Sequence, residues 1–138
     1  MSILEDCAKN FPDDATVPDS VALLRRIPPK HFYLDHNLGR CRPSSAAFED
    51  DEDGDPMSIY RKDVIDRERG DVRRVLIGHP GYALTTLTAG QVRSKSQTVF
   101  PAPLPEESSH AKICGPKPRS TRRWFSEQAV WAIPPPGK

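Results

Sequence analysis

No stretch of this sequence stays apolar long enough to span a bilayer, and no apolar run opens it. The reading is therefore of a soluble chain without membrane association. Net charge is only +1, which argues against capturing polyanions by bulk attraction. Metal-ligand spacing is missing as well: His31, His36, His79, His110 and the cysteines form neither C-x-x-C nor H-x-x-x-H. No metal and no cofactor are expected. Cysteine is sparse, with Cys7, Cys41 and Cys114 standing far apart. The odd count, with no leader, points to a reducing cytoplasm. Cys41 lies between Arg40 and Arg42, which would lower its thiol pKa, but nothing nearby completes a catalytic set and an idle thiol is the preferred reading.

Internal repeats and heptads are absent, and long helices are excluded by abundance rather than lack: fifteen prolines divide the 138 residues into short pieces. The length suits one domain with a real core. Residues 1–19 are acidic, carrying Glu5, Asp6, Asp13, Asp14 and Asp19 against Lys9. They read as an N-terminal arm, either frayed or carrying a short helix, ahead of a domain over 20–138. The far end is basic, with Lys112, Lys117, Arg119, Arg122, Arg123 and Lys138 against Glu127.

Strands are expected at Val21–Ile27, Met57–Tyr60, Tyr82–Thr88, Gln97–Phe100 and His110–Cys114, from β-forming residues bounded by Pro and Gly. Ser44–Phe48 is a further short apolar run read as starting a strand. Asn37 and Gly39 mark a turn over Asp35–Arg40. Asp71 caps a helical pattern in Val72, Val75 and Leu76, and Ala89–Lys95 has room for one or two helical turns. At the C-terminus, Ser120 is the expected N-cap of one amphipathic helix, TRRWFSEQAVWAI, with Trp124, Gln128 and Trp131 in a stripe. Arg123 and Glu127 have the spacing of an ion pair. Together these predict an α+β fold: a small, mostly antiparallel sheet, a C-terminal amphipathic helix and long Pro-rich loops.

EDDEDGDP, residues 49–56, places six carboxylates in eight positions. Glu49, Asp51, Asp53 and Gly54 match the start of a calcium loop, but its twelfth position is Tyr60, which does not chelate as a carboxylate does. General acid/base work needs a desolvated carboxyl, which an exposed acidic loop does not supply. A solvated loop is the better reading. Two other sets carry more chemistry. Arg25 or Arg26, Arg42, Ser44 and Tyr60 combine guanidinium forks with hydroxyls, a composition able to hold a diphosphate or carboxylate; strand arginines also serve as ion-pair partners for the Glu49–Asp55 loop. Lys117, Arg119, Arg122 and Arg123 mix cations with Trp124 and Phe125, as a nucleic-acid-binding segment does, although helical spacing favours aromatics turned to the core.

The segments LLRRIPP-x-HF, GRCRPSSAAFEDDEDGDPMSIY, HPGYAL and PLPEESSHAKICGPK resemble a family of small bacterial proteins of unknown function, over about Ala22 to Trp131. A fainter similarity is to the RES-domain toxins, NAD-consuming relatives of ADP-ribosyltransferases. That resemblance implies roles for Arg25 or Arg26, Arg42 and Tyr60, while the chain lacks the GGRWN run and a clear catalytic Glu after the third strand. The expected function is a non-catalytic accessory protein in a bacterial defence or toxin-control system, such as phage defence or toxin–antitoxin pairing, binding a protein partner. The alternatives are a small NAD- or nucleotide-processing enzyme and a nucleic-acid-binding module.

Overall fold

The computed structural model describes residues 2–136, so Lys138 lies outside the described residues. The fold is α+β. Six strands, β1 (Ala22–Ile27), β4 (Met57–Arg61), β5 (Ala83–Thr88), β6 (Thr98–Pro101), β7 (His110–Cys114) and β8 (Val130–Ile133), form an antiparallel sheet in the order β6-β7-β4-β1-β5-β8. Strands β2 (Phe32–Asp35) and β3 (Arg40–Pro43) form a separate hairpin. Its turn uses Gly39 at φ +65°, which glycine adopts without a Cβ clash. The helices are α1 (Ile3–Asn10), α2 (Lys62–Arg67), α3 (Ala89–Arg93) and α4 (Arg119–Gln128).

Side-chain alternation along β1 divides two cores between the faces of the sheet. Leu23 and Ile27 enter the larger core with Met57, Ile59, Leu87, Val99 and Ile113. Phe48 and Phe125 complete it, meeting edge to face with centroids 6.1 Å apart. That contact fastens the 3-10 turn Ser45–Phe48 to α4. Leu24 points the other way, into a smaller core with Tyr60, Ile65, Val75 and Leu84.

Several local expectations hold for the stated reason. Asp71 accepts the Arg73 N–H at the start of a 3-10 turn, and α3 forms within Ala89–Lys95, begun by a reciprocal Thr88–Gln91 capping box that is not among those expectations. Others do not. Ser45–Phe48 is a 3-10 turn rather than the start of a strand, and Lys62–Arg67, for which no element is expected, is helical with Ile65 buried. The expected C-terminal helix is half helix and half strand. It begins after Pro118 rather than Ser120 and stops at Gln128, because Ala129 turns extended and Val130–Ile133 pairs with the free edge of β5. A ladder partner therefore overrides the helical stripe. Trp131 leaves that stripe and donates its indole N–H to the Cys41 carbonyl at 3.0 Å, with Phe32 edge-on to its ring.

The N-terminal segment is strapped to the domain. Asp13 accepts the Val99 N–H and Asp14 N–H donates to the Val99 carbonyl, which covers the outer rim of edge strand β6. Arg93 gathers the strap by bonding Asp13, Asp19 and the carbonyls of Asp14 and Val17, and the Val17 side chain is fully buried. Cys7 and Cys114 form a disulfide, which corrects the inference from an odd cysteine count: two are paired, and only Cys41 is free. Their 107-residue separation hid the pairing in sequence.

Cross-linking so long a loop restricts the unfolded chain strongly. The Cys7→Ala variant is expected to lose about 2–4 kcal/mol in urea unfolding without reductant. The gap from wild type should close when both are reduced; a gap that persists in reductant would show that packing at Cys7, not the cross-link, carries the stability.

Candidate functional site

The acidic stretch is an internal counter-ion set. Arg25 lies in β1 on the side of the larger core and is largely buried. Its guanidinium donates to the carbonyls of Ala47 (3.0 Å), Ser58 (2.8 Å) and Glu49 (3.2 Å), with the Asp51 carboxylate at 3.7 Å. Burial pulls the Arg25 pKa down, opposed mainly by Asp51. Asp51 also accepts from the Ser58 hydroxyl and backbone N–H, and Lys112 stands 3.5 Å away. Burial alone would raise the Asp51 pKa, but these donors and cations outweigh it and hold the carboxyl below its usual range.

The same loop absorbs part of the basic C-terminal segment. Lys117, almost wholly buried, meets Asp50 at 2.6 Å and donates to the Gly115 carbonyl; burial lowers its pKa. Arg122 bonds Glu49 at 3.1 Å and the Lys117 carbonyl. Two of the four cations assigned to nucleic acid are thus engaged inside the protein. Arg119 and Arg123 are not: both are exposed and, among the described residues, bond neither a carboxylate nor a carbonyl. The expected Arg123–Glu127 ion pair does not form.

The other proposed set divides between the two faces of the sheet. Arg26 points opposite to Arg25, donates to the Val75 carbonyl at 2.6 Å and lies over the Tyr60 ring at 4.7 Å. Burial raises the Tyr60 phenol pKa, and His110 packs edge-on against the same ring, its Nδ1 2.7 Å from the Ala102 carbonyl. Arg42 and Ser44 lie on the far side, by the hairpin. Arg26 and Tyr60 therefore do not share a hollow with Arg42 and Ser44.

Arg42 and Ser44 instead meet Arg119 and Arg123. A cleft of about 540 Å³ opens between the β2–β3 hairpin and α4, with Arg42, Ser44, Ser45, Arg119, Arg123 and Glu127 on its walls. It adjoins a second hollow along Arg40, Gln128 and Trp131, the two sharing Arg42 and Glu127, so that a single groove follows the hairpin. Arg42 is held by Asp35 at 3.3 Å, and the Asp35 carboxyl is kept low against its desolvation by the N–H groups of Leu38 and Asn37 and by Arg42. The hydroxyls of Ser44 and Ser45 make no hydrogen bond among the described residues, and Ser44 does not cap the turn it precedes. No histidine ring bonds Cys41 or a serine among the described residues, so no nucleophile is paired with a base here. Packing of Phe48 on Phe125 ties the turn to α4, and Trp131 holds the hairpin through the Cys41 carbonyl and the Phe32 ring, which brings these sequence-distant groups to one groove.

Asp51 and Glu107 give the fold an acid limit. Glu107 is held low, against its burial, by hydrogen bonds from Arg74 and Ser109. Both carboxyls have folded pKa values below their unfolded ones. Their contribution is therefore complete above the unfolded value of about 4 and is lost as pH falls through the lower folded values. Urea midpoints should decline gently below about pH 6.5, where His31 and His79, whose pKa burial lowers, resist protonation in the fold, and drop steeply below about pH 4. Asp51→Asn should be less stable at neutral pH and show a shallower acid limb; an unchanged limb in this variant and in Glu107→Gln would refute the assignment. The chain matches no protein-family model, no curated protein and no solved structure.

Proposed function

We propose that this chain is a non-catalytic binding protein that takes an acidic segment of a protein partner into the groove between the β2–β3 hairpin and α4. One observation carries the reading. Among the described residues, the arginines that bond neither a carboxylate nor a carbonyl are Arg40, Arg69, Arg119 and Arg123, and all but Arg69 line this groove. Most other cations, from Arg25 to Arg122, are spent on internal pairs. Unpaired guanidinium groups beside free hydroxyls form a surface that lacks its acceptors, and a partner carboxylate supplies them. Exposed Tyr33 on the hairpin adds apolar contact at the rim.

The segregated charge of the chain and the absence of a complete catalytic set among the described residues support an accessory role, for which the proposed setting is bacterial defence or toxin control. An NAD- or nucleotide-processing enzyme is the second reading, favoured by Arg42 and Ser44 sharing one cleft. Against it stand the separation of Arg26 and Tyr60 from that cleft and the lack of a base-paired nucleophile. Nucleic-acid binding through the C-terminal segment is weakened by the engagement of Lys117 and Arg122 with Asp50 and Glu49.

The test compares wild type with the Arg119→Glu/Arg123→Glu double variant. Wild type should retain one stoichiometric protein from native-host extract, and the variant should lose it by at least about tenfold while keeping the wild-type unfolding midpoint, as surface changes normally do. Retention unaffected by the double charge reversal would sink the groove reading. Rapid loss of NAD on incubation with the purified protein would replace it with the enzyme.

A further inference from the structure

Resting on the groove reading, a narrower inference concerns which anion sits at its α4 end. We propose that Arg119, Arg123, Ser44 and Ser45 form a subsite for a phosphate monoester carried on an extended chain, as in a phosphoserine- or phosphothreonine-bearing segment of the partner.

The first argument is donor surplus. Arg119 and Arg123 are four residues apart in α4 and so lie on one face of the helix. Both line the cleft, as do the serines at the start of the facing 3-10 turn. A guanidinium presents a fork of N–H donors and each hydroxyl presents one more. Two free forks and two free hydroxyls exceed what a single carboxylate, with two oxygens and one charge, accepts. A phosphate monoester offers three terminal oxygens and a charge of about −1.5 to −2 at neutral pH.

The second argument is local polarity. Arg119 is the first residue of the ten-residue helix α4, and Pro118, before it, provides no side-chain cap. The unpaired N–H groups of this first turn add positive partial charge at the same end of the groove. The neighbouring Arg122 points away to Glu49, so the free guanidinium groups are those on the groove face.

The third argument limits the ligand to one phosphate. Asp35 and Glu127 line the same cleft. A run of phosphodiesters along the groove would meet these carboxylates, whereas a single phosphate near Arg119 and Arg123 does not need to. Beyond Arg42 the groove continues as an open trough past Arg40 to Trp131, which suits the flanking residues of an extended chain.

Calorimetric titration of the full chain tests this with a short Gly/Ala peptide carrying one phosphoserine, the same peptide with Glu or Ser at that position, and AMP. The phosphopeptide should bind at least about tenfold more tightly than the Glu peptide, given the stronger charge-assisted bonds. Its affinity should fall as pH drops through about 6, where the phosphate takes up its second proton. Arg119→Gln and Arg123→Gln should each weaken it about tenfold or more, while Arg69→Gln, an exposed arginine outside the groove, should not. Equal binding of phosphoserine and Glu peptides overturns the phosphate subsite and leaves the acidic-segment reading standing. AMP binding more tightly than the phosphopeptide also overturns it, in favour of a nucleotide. Binding of none of the four overturns both readings, provided circular dichroism shows the protein folded.

Discussion

The Arg25 guanidinium is the interaction on which the rest of the structure leans. It rises from the middle of a central strand into the main core and satisfies three backbone carbonyls and a carboxylate at once. The carbonyls belong to three different stretches: the end of the Ser45–Phe48 turn, the acidic loop and β4, where the β1–β4 pairing joins only Leu23 to Arg61 and Leu24 to Tyr60 and does not reach Ser58. Leaving such groups unpaired in the interior is expensive, and removing the guanidinium would uncover all of them together with Asp51. With Arg25 in place, the turn is fixed, Phe48 reaches Phe125, and α4 is set at a defined distance from the hairpin. The groove is the space that this arrangement leaves.

Charge is sorted by the same framework. The acidic loop neutralises Arg25, Lys112, Lys117 and Arg122, and the N-terminal acids neutralise Arg93. These pairs are partly buried, so their value lies less in net attraction than in fixing which segments meet. What is left over is informative. A chain of net charge +1 still presents a local cationic surface, because most of the paired carboxylates lie away from the groove, where Arg40, Arg42, Arg119 and Arg123 outnumber Asp35 and Glu127. Bulk charge gave no hint of this, since it sums groups that the fold separates.

Legibility varied with the range of the interaction. The cap at Asp71, the Gly39 turn and the strands at Met57, Ala83 and His110 are legible because each depends on residues a few positions apart. Beyond Gln128 the apolar spacing fits a helix, yet the chain is extended, because the deciding interaction is a ladder with β5, over forty residues away in sequence. The Cys7–Cys114 bond escaped notice for the same reason. At the candidate site, the residue types are legible in the sequence but their grouping is not: alternation along β1 and β4 sends Arg26 and Tyr60 to the face of the sheet opposite Arg42 and Ser44.

The sequence by itself determined the α+β class, the short elements and the pool of cations and hydroxyls, because composition, turn chemistry and proline placement act locally. Only the tertiary structure decided which arginines are spent and which are free. That choice depends on where each carboxylate comes to rest after the sheet, the hairpin and α4 have packed, and proximity of that kind is set by the whole fold rather than by neighbours along the chain.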